Sequence, residues 1–257
     1  MNTKLTREST STLAIAHRGF SSAFPENTLP AFDAALELPI QGIEFDVQLT
    51  REGIPIVFHD KNFRRVGGGM KLVRARILQQ LDQVDFGSWF DRRFRGIGPL
   101  TLKTFMHRYA GRCLLLLEIK PEGGSTRMGR RQQLMERVID MVREFQVVDS
   151  VRILCFDLDL LRYGHEIAKD FHFVLNQTRP AIVEDDAFLA AYSANIKRLR
   201  PQFVQAVHAK GKPVYSYTVN DATMLQKALY CGVDAVMSDD PRWLTRTLAT
   251  YQEKTTT

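Results

Sequence analysis

Short apolar runs of strand length alternate with helical segments about eight times between residues 13 and 251. Alternation sustained over that length confines the chain to α/β architectures, in which each helix is the crossover between parallel strands. Leu13-Ala14-Ile15-Ala16 is the first buried-type strand and ends on His17-Arg18-Gly19. Pro25-Glu26-Asn27-Thr28 leads into a helix that Asn27 or Thr28 can cap, with Pro30 in its first turn and Leu29, Phe32, Ala35 and Leu36 as its apolar stripe. A strand over 42–49 follows. Leu114-Leu115-Leu116-Leu117 is a continuous apolar run of the kind found in strands buried on both faces. A loop over 122–129 precedes a helix striped by Leu134, Val138, Met141, Val142 and Phe145. Strands over 151–156, 171–176, 213–219 and 233–238 then interleave with helices over 160–168, 201–210, 222–230 and 242–251. Residues 187–196 are ambiguous, a helix tail running into a poorly marked strand. The unit count favours an α/β fold of the TIM (β/α)8 barrel type over a doubly wound sheet, and no GxGxxG turn follows the first strand.

The expected organisation is one barrel over 13–252, with an insertion after the second strand at about 61–100 and flexible ends at 1–12 and 253–257. The insertion holds Gly67-Gly68-Gly69, a short helix near 78–84 and the aromatics Phe86, Trp89, Phe90 and Phe94. Without a following Lys-Ser or Lys-Thr, the triple glycine reads as a turn rather than a phosphate cradle.

Composition narrows the class. At 44% hydrophobic and 25% charged, the chain has no run long enough to cross a membrane and no signal-peptide core. Its three scattered cysteines, Cys113, Cys155 and Cys231, argue against a disulfide framework and fit a reducing cytoplasm. The net charge of +6 is spread in small groups and favours anionic small-molecule substrates by steering. No base-reading motif accompanies it, so nucleic acid is not an expected partner.

The stretch from Gly42 to Asp60 carries the chemistry. In a strand Glu44 and Asp46 project to one side, while Ile43, Phe45 and Val47 face the other. Two carboxylates on an apolar strand need neutralising, and a divalent cation would do it. For this pair alone a solvent-facing edge strand explains the pattern equally well. Ile54-Pro55-Ile56-Val57-Phe58 then delivers His59-Asp60. Barrel chemistry collects at the C-terminal ends of strands, where this chain places His17 and Arg18, Glu44 and Asp46, Glu118 and Lys120, and later Asp239. Glu44, Asp46 and Glu118 would supply three oxygen donors suited to Mg²⁺ or Ca²⁺. Arg18 and Lys120 suit phosphate oxygens, and His17 and His59 can exchange protons near neutral pH. Together these groups suit cleavage of a phosphodiester.

The ordered motifs His17-Arg18-Gly19, Pro25-Glu26-Asn27-Thr28, Glu44-Phe45-Asp46-Val47, His59-Asp60 and Glu118-Ile119-Lys120 resemble those of the glycerophosphodiester phosphodiesterase family. Tyr217-Thr218-Val219-Asn220, Gly232-Val233-Asp234 and Ser238-Asp239 are similar to its C-terminal signature. The resemblance implies metal-dependent hydrolysis of glycerophosphodiesters to sn-glycerol 3-phosphate and an alcohol. It puts the metal ligands on Glu44, Asp46 and Glu118 and the acid/base pair on His17 and His59. Arg18 and Lys120 become phosphate contacts. Tyr217 stands where many members carry Trp, on the glycerol side, and Ser238 replaces a more usual Thr. After His59-Asp60 the chain follows the family pattern only loosely. The resemblance does not choose between Mg²⁺ and Ca²⁺, or between water and the glycerol 2-hydroxyl as first nucleophile. Two other readings compete. One is a phospholipase D-like enzyme acting on lysophospholipids, with Phe86, Trp89, Phe90 and Phe94 as a membrane contact. The other is a binding protein without catalysis. Head group and oligomeric state are open.

Overall fold

The computed structural model describes residues 12–120, 128–183 and 186–255. In chain order its elements are β1 (Leu13–His17), α1 (Leu29–Leu36), β2 (Gly42–Leu49), β3 (Pro55–Val57), β4 (Asn62–Phe63), β5 (Gly69–Leu72), α2 (Leu78–Leu81), α3 (Leu102–Tyr109) and β6 (Leu114–Ile119). There follow α4 (Met128–Glu144), β7 (Val151–Cys155), α5 (Leu158–Ile167), β8 (Phe173–Gln177), β9 (Leu189–Asn195), α6 (Pro201–Ala209), β10 (Val214–Tyr217), α7 (Ala222–Cys231), β11 (Ala235–Ser238) and α8 (Pro241–Thr255).

Parallel pairing runs β1-β2-β6-β7-β8-β9-β10-β11 and returns to β1, closing the expected TIM barrel. Period-two alternation sorts its side chains into two layers. Ile15, Leu116, Leu154, Val174 and Tyr215 fill the ring's interior. Ile43, Phe45, Val47, Leu115 and Leu117 point outward onto α1 and α3, where Phe32 and Phe105 meet them. Each such buried side chain contributes about 1.5–3 kcal/mol by leaving water. Every residue of β2 is buried and the strand lies between β1 and β6, so the solvent-facing edge strand is excluded.

Several local expectations are corrected. Residues 189–195 form strand β9, and the described residues between β8 and β9 include no helix. Ala190, Ala191, Ser193 and Ala194 give that strand too little hydrophobic amplitude to read as one. Neither Asn27 nor Thr28 caps α1 with its side chain: Thr28 is the N-cap residue but its hydroxyl donates to the Pro25 carbonyl, and Asn27 is committed elsewhere. The last helix passes the expected 251 and runs to Thr255. Met128 and Gly129, expected at the end of a loop over 122–129, instead begin α4; the rest of that loop and most of the N-terminal segment over 1–12 lie outside the described residues.

One arrangement positions the site. β1 runs alongside one edge of β2 as far as the pairing of His17 with Glu44, and Arg18 N then donates to the Glu44 carbonyl at 2.8 Å. From Val47 onward that same edge is taken by the antiparallel β3, whose following residue Phe58 donates its N–H to the Asp46 carbonyl at 2.9 Å. Two strands therefore approach head-on along one edge and stop at Glu44–Asp46. Their ends carry His17-Arg18 and His59-Asp60. The segment that follows packs into a satellite cluster of Ile56, Phe58, Phe63, Val66, Val73, Leu81 and Phe86 beside the barrel. Gly67, in the turn between β4 and β5, and Gly69, where β5 begins, hold positive φ, the structural role expected of the triple glycine.

A candidate active site at the barrel mouth

β2's alternation turns Glu44 and Asp46 inward, and its register with β6 sets Asp46 opposite Glu118. All three carboxylates are buried, and one oxygen from each lies within 4.8 Å of the others. Burial, then the charges of Asp46 and Glu118, pushes the Glu44 carboxyl well above its usual range. Burial and Asp46 raise Glu118 as well. Burial opposes charge on Asp46 too, but Arg18, Lys120 and His59 outweigh it and hold that carboxyl below the usual range. Lys120 Nζ lies 2.6 Å from Glu118 Oε1 and 3.1 Å from Asp46 Oδ1, while Arg18 Nε lies 3.1 Å from Asp46 Oδ2. Asp46 Oδ1 has no aligned hydrogen-bond donor, a cost a buried oxygen normally avoids.

Both imidazoles are oriented by a carboxylate at Nδ1. His17 Nδ1 lies 2.6 Å from Asp239 Oδ1, and its Nε2 faces Glu44 Oε2 at 3.7 Å. His59 Nδ1 lies 2.8 Å from Asp60 Oδ1. Burial opposes ionisation of Asp239, yet bonds from His17, Asn220 and Ser21 keep it below the ordinary carboxylate range. The turn that brings His17 and Arg18 here needs Gly19, at φ +80°, because a Cβ would sit 2.7 Å from the Ala31 carbonyl carbon. Arg18 itself takes a positive φ of 57°, a conformation that costs a non-glycine residue about 1–3 kcal/mol.

Several partners were not singled out from sequence for this purpose. Asn27, at φ 57°, donates to Asp46 Oδ2 at 2.9 Å. Asn176, at the end of β8, donates to Glu118 Oε2 at 3.0 Å. Glu26 and Arg65 tie the two histidine-bearing strand ends together: Arg18 Nη1 to Glu26 Oε1 at 3.0 Å, Arg65 Nη2 to the same oxygen at 2.7 Å, and Arg65 Nε to Asp60 Oδ2 at 2.7 Å. The Arg65 guanidinium is backed by the Trp89 ring at 4.3 Å. Sequence carried a signal for Asn176, a polar residue at a strand's C-terminal end. Arg65 sits in what reads as a dispersed basic surface and carried none.

A family model for the glycerophosphoryl diester phosphodiesterases matches residues 17–242. The chain belongs to that family. A glycerophosphodiester phosphodiesterase of Caldanaerobacter subterraneus is 30% identical over 240 residues, covering 91% of this chain and 96% of the relative. One from Bacillus altitudinis is 28% identical over 237 residues, covering 90% and 95%. Among solved structures, an Oleispira antarctica phosphodiesterase in complex with its product sn-glycerol-3-phosphate superposes with a TM-score of 0.84 at 25% identity, covering 93% of this chain and 97% of that one. Family membership makes this protein an enzyme, a glycerophosphodiester phosphodiesterase.

In this phosphodiesterase the eight residues expected at the site divide into a tight group and an outlier. His17, Arg18, Glu44, Asp46, Glu118 and Lys120 touch one another directly or through a shared carboxylate, and His59 stands near enough to Asp46 to help hold it ionised. Tyr217 makes none of these direct contacts: its ring is edge-on to Phe156 at 6.2 Å and its hydroxyl is buried. Burial and then Glu118 push that hydroxyl above its ordinary range. A cleft of about 760 Å³ opens beside the group, lined by Glu118, Lys120, His59 and Asp60, by Lys61, Asn62, Arg64 and Arg65, and by Gln48 and Phe156. Of the insertion's aromatics Phe86 is buried in the satellite cluster, while Trp89, Phe90 and Phe94 are half-buried, Trp89 against that cluster and Phe94 on Phe24. No described helix is long and apolar enough to cross a membrane.

Proposed function

We propose that the enzyme hydrolyses glycerophosphodiesters to sn-glycerol 3-phosphate and an alcohol, with a divalent cation held by Glu44, Asp46 and Glu118 and with His17 and His59 as the proton carriers. The observation that supports this most is the convergence of three buried carboxylates beside two imidazoles, each fixed at Nδ1 by its own acid. The donor set fits a hard cation: the donors are all carboxylate oxygens, Asp46 Oδ1 lacks an aligned hydrogen bond, and burial followed by the neighbouring carboxylates raises Glu44 and Glu118. When bound, Mg²⁺ or Ca²⁺ would offset the charge that develops on phosphate oxygens.

The side chains divide the remaining work. Arg18 and Lys120 hold non-bridging phosphate oxygens. Burial disfavours charge on Lys120, but Asp46 and Glu118 overcompensate and keep it a cation at any working pH. With Nδ1 engaged, Nε2 of each histidine is left for proton transfer. One of them takes the proton of the attacking hydroxyl, and the other protonates the departing alkoxide. Tyr217 and Phe156 form the apolar wall against which the carbon skeleton rests. The membrane-binding reading finds no exposed aromatic patch on the insertion to rest on.

The test is a metal-depleted, metal-restored assay on glycerophosphodiesters, run alongside thermal melting. Added Mg²⁺ or Ca²⁺ should restore turnover and raise the Tm of wild type, by about 2.7 kcal/mol of stability at a hundredfold excess over Kd. Glu44→Gln should abolish both effects. His17→Ala and His59→Ala should each lower kcat by about 10²–10⁴-fold and keep the metal-dependent Tm shift. Near-normal turnover in either histidine variant would overturn its role.

A further inference from the structure

The cleft beside the carboxylates has an unequal charge balance. On the wall formed by residues 59–65, Asp60 is engaged by His59 and Arg65, and Arg65 is itself shared between Asp60 and Glu26. On the floor, Lys120 is shared between Glu118 and Asp46. Each acid that lines the cleft, Asp60 and Glu118, therefore already faces at least one cation. Lys61 and Arg64, which line the same wall, are exposed and have no carboxylate partner among the described residues.

They are also held in place. Phe63 and Val66 anchor the segment in the satellite cluster, the Lys61 carbonyl accepts from Val73 N at 3.1 Å, and Asn62 Oδ1 accepts from Arg64 N at 3.0 Å. The segment thus presents two uncompensated cations to whatever part of a substrate extends from the phosphate into the cleft. The glycerol arm of a glycerophosphodiester carries no charge, so those cations can discriminate only through the other arm.

Building on the proposed hydrolysis, we propose that Lys61 and Arg64 make this a phosphodiesterase for glycerophosphodiesters whose alcohol arm bears an anionic group, a phosphate or a carboxylate, and that they disfavour arms with a fixed cation. Attraction between exposed charges is modest and additive, and like charges placed together carry the opposite sign. Selectivity should therefore appear as a ratio of kcat/KM between arms of similar size and different charge, and should shrink as salt screens it.

The experiment uses the full chain with saturating Mg²⁺ or Ca²⁺ and three substrates: glycerophosphoglycerol, the same diester with a terminal phosphate on the departing glycerol, and glycerophosphocholine. Wild type should prefer the phosphate-bearing arm to the choline arm by about tenfold in kcat/KM at low salt, with the neutral arm between them. Lys61→Glu with Arg64→Glu should invert the order. Lys61→Ala with Arg64→Ala should flatten it, a second variant at the same exposed positions that introduces no new charge. Because the readout is a ratio, general damage to the enzyme cancels. Equal kcat/KM for all three in wild type, or a ratio that neither double variant moves, would overturn the inference while leaving the hydrolysis intact. A wild-type preference for choline would assign the arm to the rings of Phe156 and Tyr217 and overturn it too. No turnover of any of the three would instead remove the proposed hydrolysis, and the inference with it.

Discussion

Arg65 illustrates how far one side chain can reach in this site. Its guanidinium bonds to Asp60, which orients His59, and to Glu26, which holds Arg18, so the proposed proton carrier and the proposed phosphate contact share one support. A planar fork can serve two acids at once in a way an ammonium cannot. Arg65→Ala should lower kcat about tenfold with a smaller change in KM and little change in Tm, and Arg65→Lys should not restore it. Steady-state kinetics with a parallel melting curve check this; a loss confined to KM would instead make Arg65 a plain substrate contact. Sequence made the acids and histidines legible because charged groups at the ends of apolar strands are costly without a use. Asn27 and Arg65 were not legible for the same physical reason. Both look like ordinary local chemistry, a helix cap and a solvated cation, until the fold brings Asp46 to Asn27 and Glu26 to Arg65.

At the scale of elements, the insertion supports the proposed site, because it follows directly on His59-Asp60 and supplies Arg65, which bonds to Asp60. Its support is the small cluster around Phe63, which is fully buried and stacks on Phe58 at 5.0 Å. Phe63→Ala should cost about 3–5 kcal/mol locally. Hydrogen exchange should show lost protection over 58–97, unchanged protection in β6 to β8, and an accompanying fall in kcat. Uniform loss across the barrel would show that the insertion and the ring unfold as one unit. Elements with strong amplitude, such as Leu114–Leu117, were readable. β9 was not, since its alanines and serines pack well in a closed ring yet carry almost no periodic signal.

For the whole molecule, closure of the ring buries most of what could react. Burial pushes the Cys155 and Cys113 thiols up to about 12, and Cys231 also rises above its ordinary value. A thiol whose pKa is raised is almost wholly protonated at pH 8 and is a poor nucleophile. Native protein should therefore give almost no reaction with a disulfide reagent at that pH, and all three cysteines should react after denaturation. Fast labelling of the native state would mean that the barrel opens far more often than its packing suggests. The count of βα units made the architecture readable from sequence. What sequence could not express was that β1 and β3 would share one edge of β2, since nothing local to either strand records where the other one stops.

That shared edge makes the tight turn over residues 50–54 a length gauge. Thr50 N donates to the Ile54 carbonyl, Ile54 N donates to the Thr50 hydroxyl oxygen, and Gly53 supplies the positive φ that closes the turn. One residue more or less there would slide β3 by a single step and rotate its side chains to the opposite face. The imidazole after it would then point away from its counterpart on β1. A bend outside the proposed site thereby sets which way one of the two proposed proton carriers faces.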